Sequence, residues 1–205
     1  MSDLHTYEEI TTENRIVNPA NMLTVSRIVL VPFYVWLFSQ QRWYTVVISL
    51  LVFIIAALTD FYDGKLARRR KEITKLGKFM DPLADKFLVV AALAQFCFMG
   101  LVNFWLVSII IVRDLWITGM RILAIKRGTE LKTSGNAKLK TSIQLSVIIT
   151  IIVFTGIRIS ALHFGYRGPL VDIDAYRVFF NILLSVAVVF AVYSWFRYIV
   201  IERVS

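Results

Sequence analysis

Charge is scarce in this chain. Only 18% of its 205 residues are Asp, Glu, Lys or Arg, against about 25% in a typical soluble domain. Hydrophobic residues make up 58%, and mean hydropathy is +0.68. That balance excludes an ordinary soluble domain and identifies an integral membrane protein. The net charge of +9 is therefore read by its location along the chain, not as a footprint for nucleic acid. A single cysteine, Cys97, rules out an internal disulfide. The two histidines, His5 and His163, are isolated and fall outside any ligand spacing. The opening segment sets Asp3, Glu8, Glu9 and Glu13 against Arg15. It is too acidic for a transit peptide and lacks the apolar core of a cleaved signal peptide.

What is abundant is long apolar segments. A membrane-spanning helix needs about 20 mostly apolar residues. Six stretches approach that: Ala20 to Phe38, Tyr44 to Asp60, Pro82 to Met99, Phe104 to Ile125, Leu139 to Ile157 and Tyr176 to Val200. Gly100-Leu101-Val102-Asn103 reads as a tight helical hairpin between the third and fourth. Lys65, Arg68, Arg69, Arg70, Lys71, Lys75 and Lys78 lie between spans two and three, and Lys126, Arg127, Lys132, Lys138 and Lys140 between spans four and five. The alternate connections hold only Arg42, then none, then Arg158 and Arg167, with Arg177 at the edge of the sixth span. The positive-inside bias makes this an all-α membrane protein of six spans with both termini cytoplasmic. Residues 1–18 read as a short cytosolic segment and 19–205 as the membrane domain. Trp36, Trp43, Trp105, Trp116 and Trp195 read as interface anchors or packing.

The chemistry sits between spans two and three. Asp60-Phe61-Tyr62-Asp63-Gly64-Lys65-Leu66-Ala67-Arg68, followed by Gly77, Asp81 and Asp85, has the spacing D-x2-D-G-x2-A-R-x8-G-x3-D-x3-D. Carboxylates bordering a membrane are costly unless paired or metal-bound. Asp60 and Asp63 share one helix face, as do Asp81 and Asp85, and Pro82 suits a first helical turn. If the two helices are neighbours, the four carboxylates converge, and they cannot all stay ionised in a partly buried site without cations. Oxygen-only ligation calls for hard divalent ions, Mg²⁺ or Mn²⁺. Gly64 and Ala67 leave room for a diphosphate, and Arg68 supplies a fork-shaped donor. A solvated charged loop explains Arg69, Arg70 and Lys71 but not four regularly spaced aspartates.

This constellation resembles the CDP-alcohol phosphatidyltransferase family, with every fixed position of that family's signature present. The resemblance implies a donor, a CDP-linked lipid bound between two metal ions, whose phosphatidyl group passes to an acceptor hydroxyl with release of CMP. It further implies that Asp60, Asp63, Asp81 and Asp85 are metal ligands, with Asp85 also the proton acceptor. Gly64, Ala67, Arg68 and, in the loop before Gly77, Thr74 would meet CDP-diacylglycerol. The same resemblance implies a homodimer in a bacterial inner membrane, and the positive-inside bias puts the aspartate motif on the cytoplasmic side.

Three further stretches resemble members that use glycerol 3-phosphate: Asn18 to Arg27, Arg113 to Arg121 and Ala137 to Thr141. Arg113, Asp114 and Arg121 also fall within about 100° of one helix face, and a charged stripe in a membrane helix normally faces a polar interior. With Lys138 and Lys140, Arg113 and Arg121 make a cationic acceptor pocket that suits glycerol 3-phosphate and repels a cationic acceptor. The competing role for Arg113 is to pair with Asp114 as structural glue. The nearest rival activity keeps the reaction and changes the acceptor to inositol phosphate, phosphatidylglycerol or serine. An intramembrane prenyltransferase would need more spans and widely separated aspartate motifs. A cation carrier is disfavoured by Arg68, which is repulsive beside a cation path.

Overall fold

The structure is a computed structural model that describes residues 19–70, 75–126 and 135–202; residues 1–18, read above as a cytosolic segment, lie outside them. Regular structure among the described residues is all helical. It comprises α1 (Pro19–Ser39), α2 (Trp43–Arg70), α3 (Lys75–Phe98), α4 (Phe104–Lys126), α5 (Gly135–His163) and α6 (Ile173–Glu202), with a 3-10 turn at Pro169–Val171. Two stretches among them, Ser142–His163 and Ile173–Phe196, are long and apolar enough to cross a membrane by length and composition, and Val29–Ser39, Trp43–Thr59 and Lys86–Phe98 are shorter apolar runs.

Helices form here because apolar surroundings offer backbone groups no partner except each other. The side chains are apolar on both sides of the bundle. Tyr34, Phe38, Phe53, Phe96, Ile148 and Phe180 are fully buried, while Trp36, Leu51, Ile55, Val112, Ile182 and Val189 are exposed. Exposed apolar surface running along every helix belongs against lipid, not water.

The helices close a circuit. α2 packs on α5, α5 on α6, α6 on α4, α4 on α3, and α3 touches α2, while α1 lies against both α2 and α3. Aromatic rings lock α1 in place, with Tyr34 and Phe53 centroids 5.4 Å apart and Phe38 and Phe96 5.5 Å apart. Gly156 lets α5 approach α2 closely: a Cβ there would stand 3.3 Å from Val46 Cγ1.

The expected hairpin between α3 and α4 is present. Gly100, at φ +67°, lets the Leu101 N–H donate to Phe96 O and the Gly100 N–H to Cys97 O, closing the C-terminal carbonyls of α3. Asn103 then caps α4, its Oδ1 accepting from the Trp105 N–H at 2.9 Å, and Asp172 caps α6 likewise through the Asp174 N–H at 3.0 Å.

Two expectations about local structure need correction. The cationic connection expected from Lys65 onward starts later, because α2 continues unbroken to Arg70. Helix outlasts the apolar run there since Lys, Leu, Ala and Arg are good helix formers. Pro82 does not sit in a first turn either, because α3 begins at Lys75 and Pro82 lies inside it. Its missing N–H leaves the Lys78 carbonyl without its usual helical donor, a cost that α3 carries without breaking.

Gly100→Ala should destabilise the protein by about 1 kcal/mol, because any side chain is strained at that positive φ. Gly119→Ala, whose Cβ would meet nothing within 4 Å, should be neutral or slightly stabilising. Thermal unfolding of both variants in detergent micelles checks the contrast.

Candidate active site

Because α2 does not break, the motif residues ride on one rigid rod. Asp60, Asp63, Gly64 and Ala67 occupy positions within about 100° of one another around α2, with Arg68 about 40° further on. Upstream on α2, Ser49, Val52, Phe53 and Ala56 are buried; on α3, Leu88, Val89, Ala92, Leu93 and Phe96 are buried. Carried along each helix at 100° per residue, those buried stripes run into the aspartates. All four fall within about 50° of the middle of the buried face of their helix.

Height agrees with register. The far ends of α2 and α3 meet where Gln41 Nε2 lies 3.8 Å from Met99 Sδ. At 1.5 Å per residue, Asp60 and Asp63 stand about 26 and 30 Å along α2 from Trp43, and Asp85 and Asp81 about 20 and 26 Å along α3 from Phe98. Four backbone positions on two touching helices thus reach one layer, where the apolar runs Trp43–Thr59 and Lys86–Phe98 stop. The side chains of Asp60, Asp63, Gly64, Ala67, Arg68, Asp81 and Asp85 lie outside the described residues, as does Thr74 entirely. Among the described residues, no three His, Cys, Asp or Glu are grouped to hold a metal ion.

The charged stripe of α4 is seen directly at Arg113 and Asp114, both buried. Arg113 donates through Nη1 to Asp114 Oδ1 at 2.9 Å, through Nε to the Ala191 carbonyl at 3.2 Å and through Nη2 to Ser194 Oγ at 3.2 Å. Of the two roles weighed for Arg113, the pairing with Asp114 is present, and it extends to α6. Two of the five guanidinium N–H groups remain beyond these bonds. Lys86 Nζ stands 3.8 Å from Asp114 Oδ2. Sequence reasoning passed over Lys86, although a lone lysine opening an apolar run, one residue past Asp85, was the available signal.

Arg121, Lys138 and Lys140 are placed by backbone alone, their side chains lying outside the described residues. Arg121 continues the buried stripe of α4 formed by Val107, Ile110, Asp114 and Thr118, and Lys140 that of α5 formed by Gln144, Val147, Ile148 and Ile151. Lys138 lies about 120° from the middle of that face. Elsewhere the bland readings fit. His163 packs 6.0 Å from Trp43 and 5.3 Å from Phe164, and Trp116 meets Trp195 edge to face at 6.4 Å.

Comparison with known proteins returns the same family as the motif. The model of the CDP-alcohol phosphatidyltransferase family matches residues 17–193. A "probable phosphatidylglycerophosphate synthase" of Mycobacterium tuberculosis is 37% identical over 143 residues, 68% of this chain and 68% of that protein. A CDP-diacylglycerol–glycerol-3-phosphate 3-phosphatidyltransferase of Sodalis glossinidius is 32% identical over 157 residues, 72% of this chain and 86% of the relative. A "probable cardiolipin synthase (CMP-forming)" of Drosophila melanogaster is 39% identical, but over 55% of this chain and only 34% of the fly protein.

Arg113→Met removes one partner of a buried carboxylate, a change that typically costs about 3–5 kcal/mol. Ser194→Ala removes a single hydrogen bond to the same guanidinium and should cost about 1 kcal/mol. Chemical denaturation of both variants in mixed micelles measures the difference.

Proposed function

The chain belongs to the CDP-alcohol phosphatidyltransferase family, and from that footing we propose that it transfers the phosphatidyl group of CDP-diacylglycerol to glycerol 3-phosphate. The products are phosphatidylglycerophosphate and CMP. The observation that carries this reading is the register of the aspartates, whose backbone positions on α2 and α3 continue the buried stripes of both helices at a common height. The names of the M. tuberculosis and S. glossinidius relatives favour glycerol 3-phosphate over other acceptors, since both align over two thirds or more of their own length. The cardiolipin synthase aligns over a third of its own.

Four carboxylates and no nitrogen or sulfur donor make an oxygen-only set, which fits two Mg²⁺ or Mn²⁺ ions held by Asp60, Asp63, Asp81 and Asp85. Such ions, when bound, neutralise negative charge on the attacking and leaving oxygens. Gly64 and Ala67 keep the face of α2 beside the aspartates low enough for the diphosphate of the donor to lie against it. Arg68, with Thr74, offers donors to the CDP portion. Asp85 takes the proton from the acceptor hydroxyl as that oxygen bonds to the phosphatidyl phosphorus. The bond from that phosphorus to the bridging diphosphate oxygen breaks, and CMP leaves with the electron pair.

The acceptor phosphate is met by Arg121, Lys138 and Lys140, and by those N–H groups of Arg113 that its protein partners leave over. Arg121 and Lys140 are the better placed, because their positions continue buried faces. Six spans and a cytoplasmic active site complete the proposal. Even the 21-residue α1 is about 30 Å long, enough for a hydrocarbon core, and the lysines and arginines gather at the aspartate end. A homodimer in a bacterial inner membrane, with both termini in the cytoplasm, is part of the same proposal.

CMP release from purified protein in lipid, with glycerol 3-phosphate present and absent, tests the activity itself. Asp60→Asn, Asp63→Asn and Asp81→Asn should abolish release, as should EDTA. Asp85→Asn should still bind donor and metal yet transfer at least about 10²–10⁴-fold more slowly. Full turnover after exhaustive chelation would sink the two-ion reading.

Steady-state kinetics with each substrate varied in turn separates the two pockets. Arg121→Gln and Lys140→Gln should raise KM for glycerol 3-phosphate about tenfold to hundredfold, the worth of a charge-assisted hydrogen bond, and spare donor binding. Arg68→Ala should weaken the donor side first, with Arg70→Ala as the control. If the first two variants lose donor affinity instead, the pocket assignment is inverted.

A further inference from the structure

Asp114 lies in the middle of α4 with its side chain 2% exposed. Arg113 Nη1 engages its Oδ1 at 2.9 Å, and Lys86 Nζ approaches its Oδ2 at 3.8 Å. Arg113 carries the linkage onward to Ala191 and Ser194 on α6. One carboxylate therefore joins α3 to α4 and, through a guanidinium, to α6. Around the buried Arg113 and Asp114 no water replaces a lost partner, so each of these charges holds the other in place.

The α3 end of this linkage falls at Lys86, the residue directly after Asp85. Contact between α3 and α2 is slight, and α3 rests mainly on α1 and α4. Whatever sets the rotation of α3 against α4 thereby sets the angle at which the row of Asp81 and Asp85 meets that of Asp60 and Asp63. With side-chain ends roughly 5 Å from a helix axis, a 20° rotation displaces a carboxylate by roughly 2 Å. Metal sites tolerate about a tenth of that.

We propose that Asp114 and Lys86 are positioning residues, a charged strut that fixes the rotation of α3 and thereby holds Asp81 and Asp85 in register with the α2 aspartates. The strut rests on the two-ion transferase reading above and deepens it. It touches neither substrate and acts only through the aspartate rows. Its role is thus distinct from that of the cationic residues nearer the acceptor.

Lys86 is the better handle, since its side chain is 24% exposed and Arg113 continues to neutralise Asp114 when Lys86 is gone. Mn²⁺ titration of the detergent-solubilised full chain, followed by electron paramagnetic resonance, reads the site without turnover. Lys86→Met should bind Mn²⁺ about 10–100-fold more weakly, as loss of an outer support typically does. Its kcat per folded molecule should fall in parallel, with KM for glycerol 3-phosphate unchanged. Lys86→Arg should restore both, and Asp114→Asn should reproduce the Lys86→Met defect. Gly100→Ala, destabilised far from the strut, should leave Mn²⁺ affinity alone. Wild-type Mn²⁺ affinity in Lys86→Met overturns the proposal. So does a rise in KM for glycerol 3-phosphate alone, which would make Lys86 an acceptor contact, and so does failure of Lys86→Arg to rescue. If the wild-type protein releases no CMP with glycerol 3-phosphate, the acceptor reading falls, while the Mn²⁺ titration still decides the strut.

Discussion

A charge can enter this bundle only where another charge or a polar backbone group answers it. The apolar lengths of α2, α5 and α6 obey that rule by carrying none: Trp43–Thr59, Ser142–Ile157 and Val178–Phe196 hold no Asp, Glu, Lys or Arg. Where α4 breaks the rule, Arg113 and Asp114 answer each other, and the surplus is taken up by Lys86, Ser194 and a carbonyl. The aspartates escape it differently. They start where the apolar runs of α2 and α3 end, a level that water and, on the two-ion reading, cations can reach. A site with four carboxylates is tolerable at that level and at no deeper one.

Continuity of α2 past its apolar run is what turns a sequence motif into geometry. In a loop, residues three and four apart would need separate restraints. On a helix, the same spacing puts Asp60, Asp63, Gly64 and Ala67 on one stripe at no further entropic cost, because the helix has already fixed the backbone. The same logic governs Gly77, Asp81 and Asp85 on α3. The motif's spacings of three and four are thus the helical repeat itself, and its small residues fall where the stripe needs clearance.

Legibility in the sequence follows from that distinction between local and distant causes. The helices and the hairpin at Gly100 depend on nearby residues, and each apolar stretch matches a helix to within six residues at its apolar ends. Asp60, Asp63, Asp81 and Asp85 were readable because their spacing encodes a helix face. The charged ends were misjudged, since hydropathy reports where lipid contact stops, not where the helix does; hence α2 to Arg70 and Pro82 inside α3. Arg113's partners on α6 stand 78 and 81 residues away, and no local pattern in Ala191 or Ser194 announces them. Lys86 was hidden for the same reason, as its partner lies on another helix.

The two ends of the bundle divide the work. At the hairpin end, Arg177 donates to the Gly100 carbonyl, the Asn103 N–H to Asn181, and Arg158 to the Val171 carbonyl, so turns and caps are closed by groups already in the chain. Among the described residues, these closures need no ligand. On the two-ion reading the aspartate end is the reverse, since four like charges in one layer repel until cations arrive. Ions that bind only the folded arrangement stabilise it by mass action, about 2.7 kcal/mol at a hundredfold excess over Kd. On the two-ion reading, self-sufficient folding is therefore concentrated where no chemistry occurs, and the site is left to be completed by its ligands. The strut of Lys86 and Asp114 lies between these regions. It gives α3 a fixed angle before any ion is bound, so binding energy need not be spent on rotating a helix.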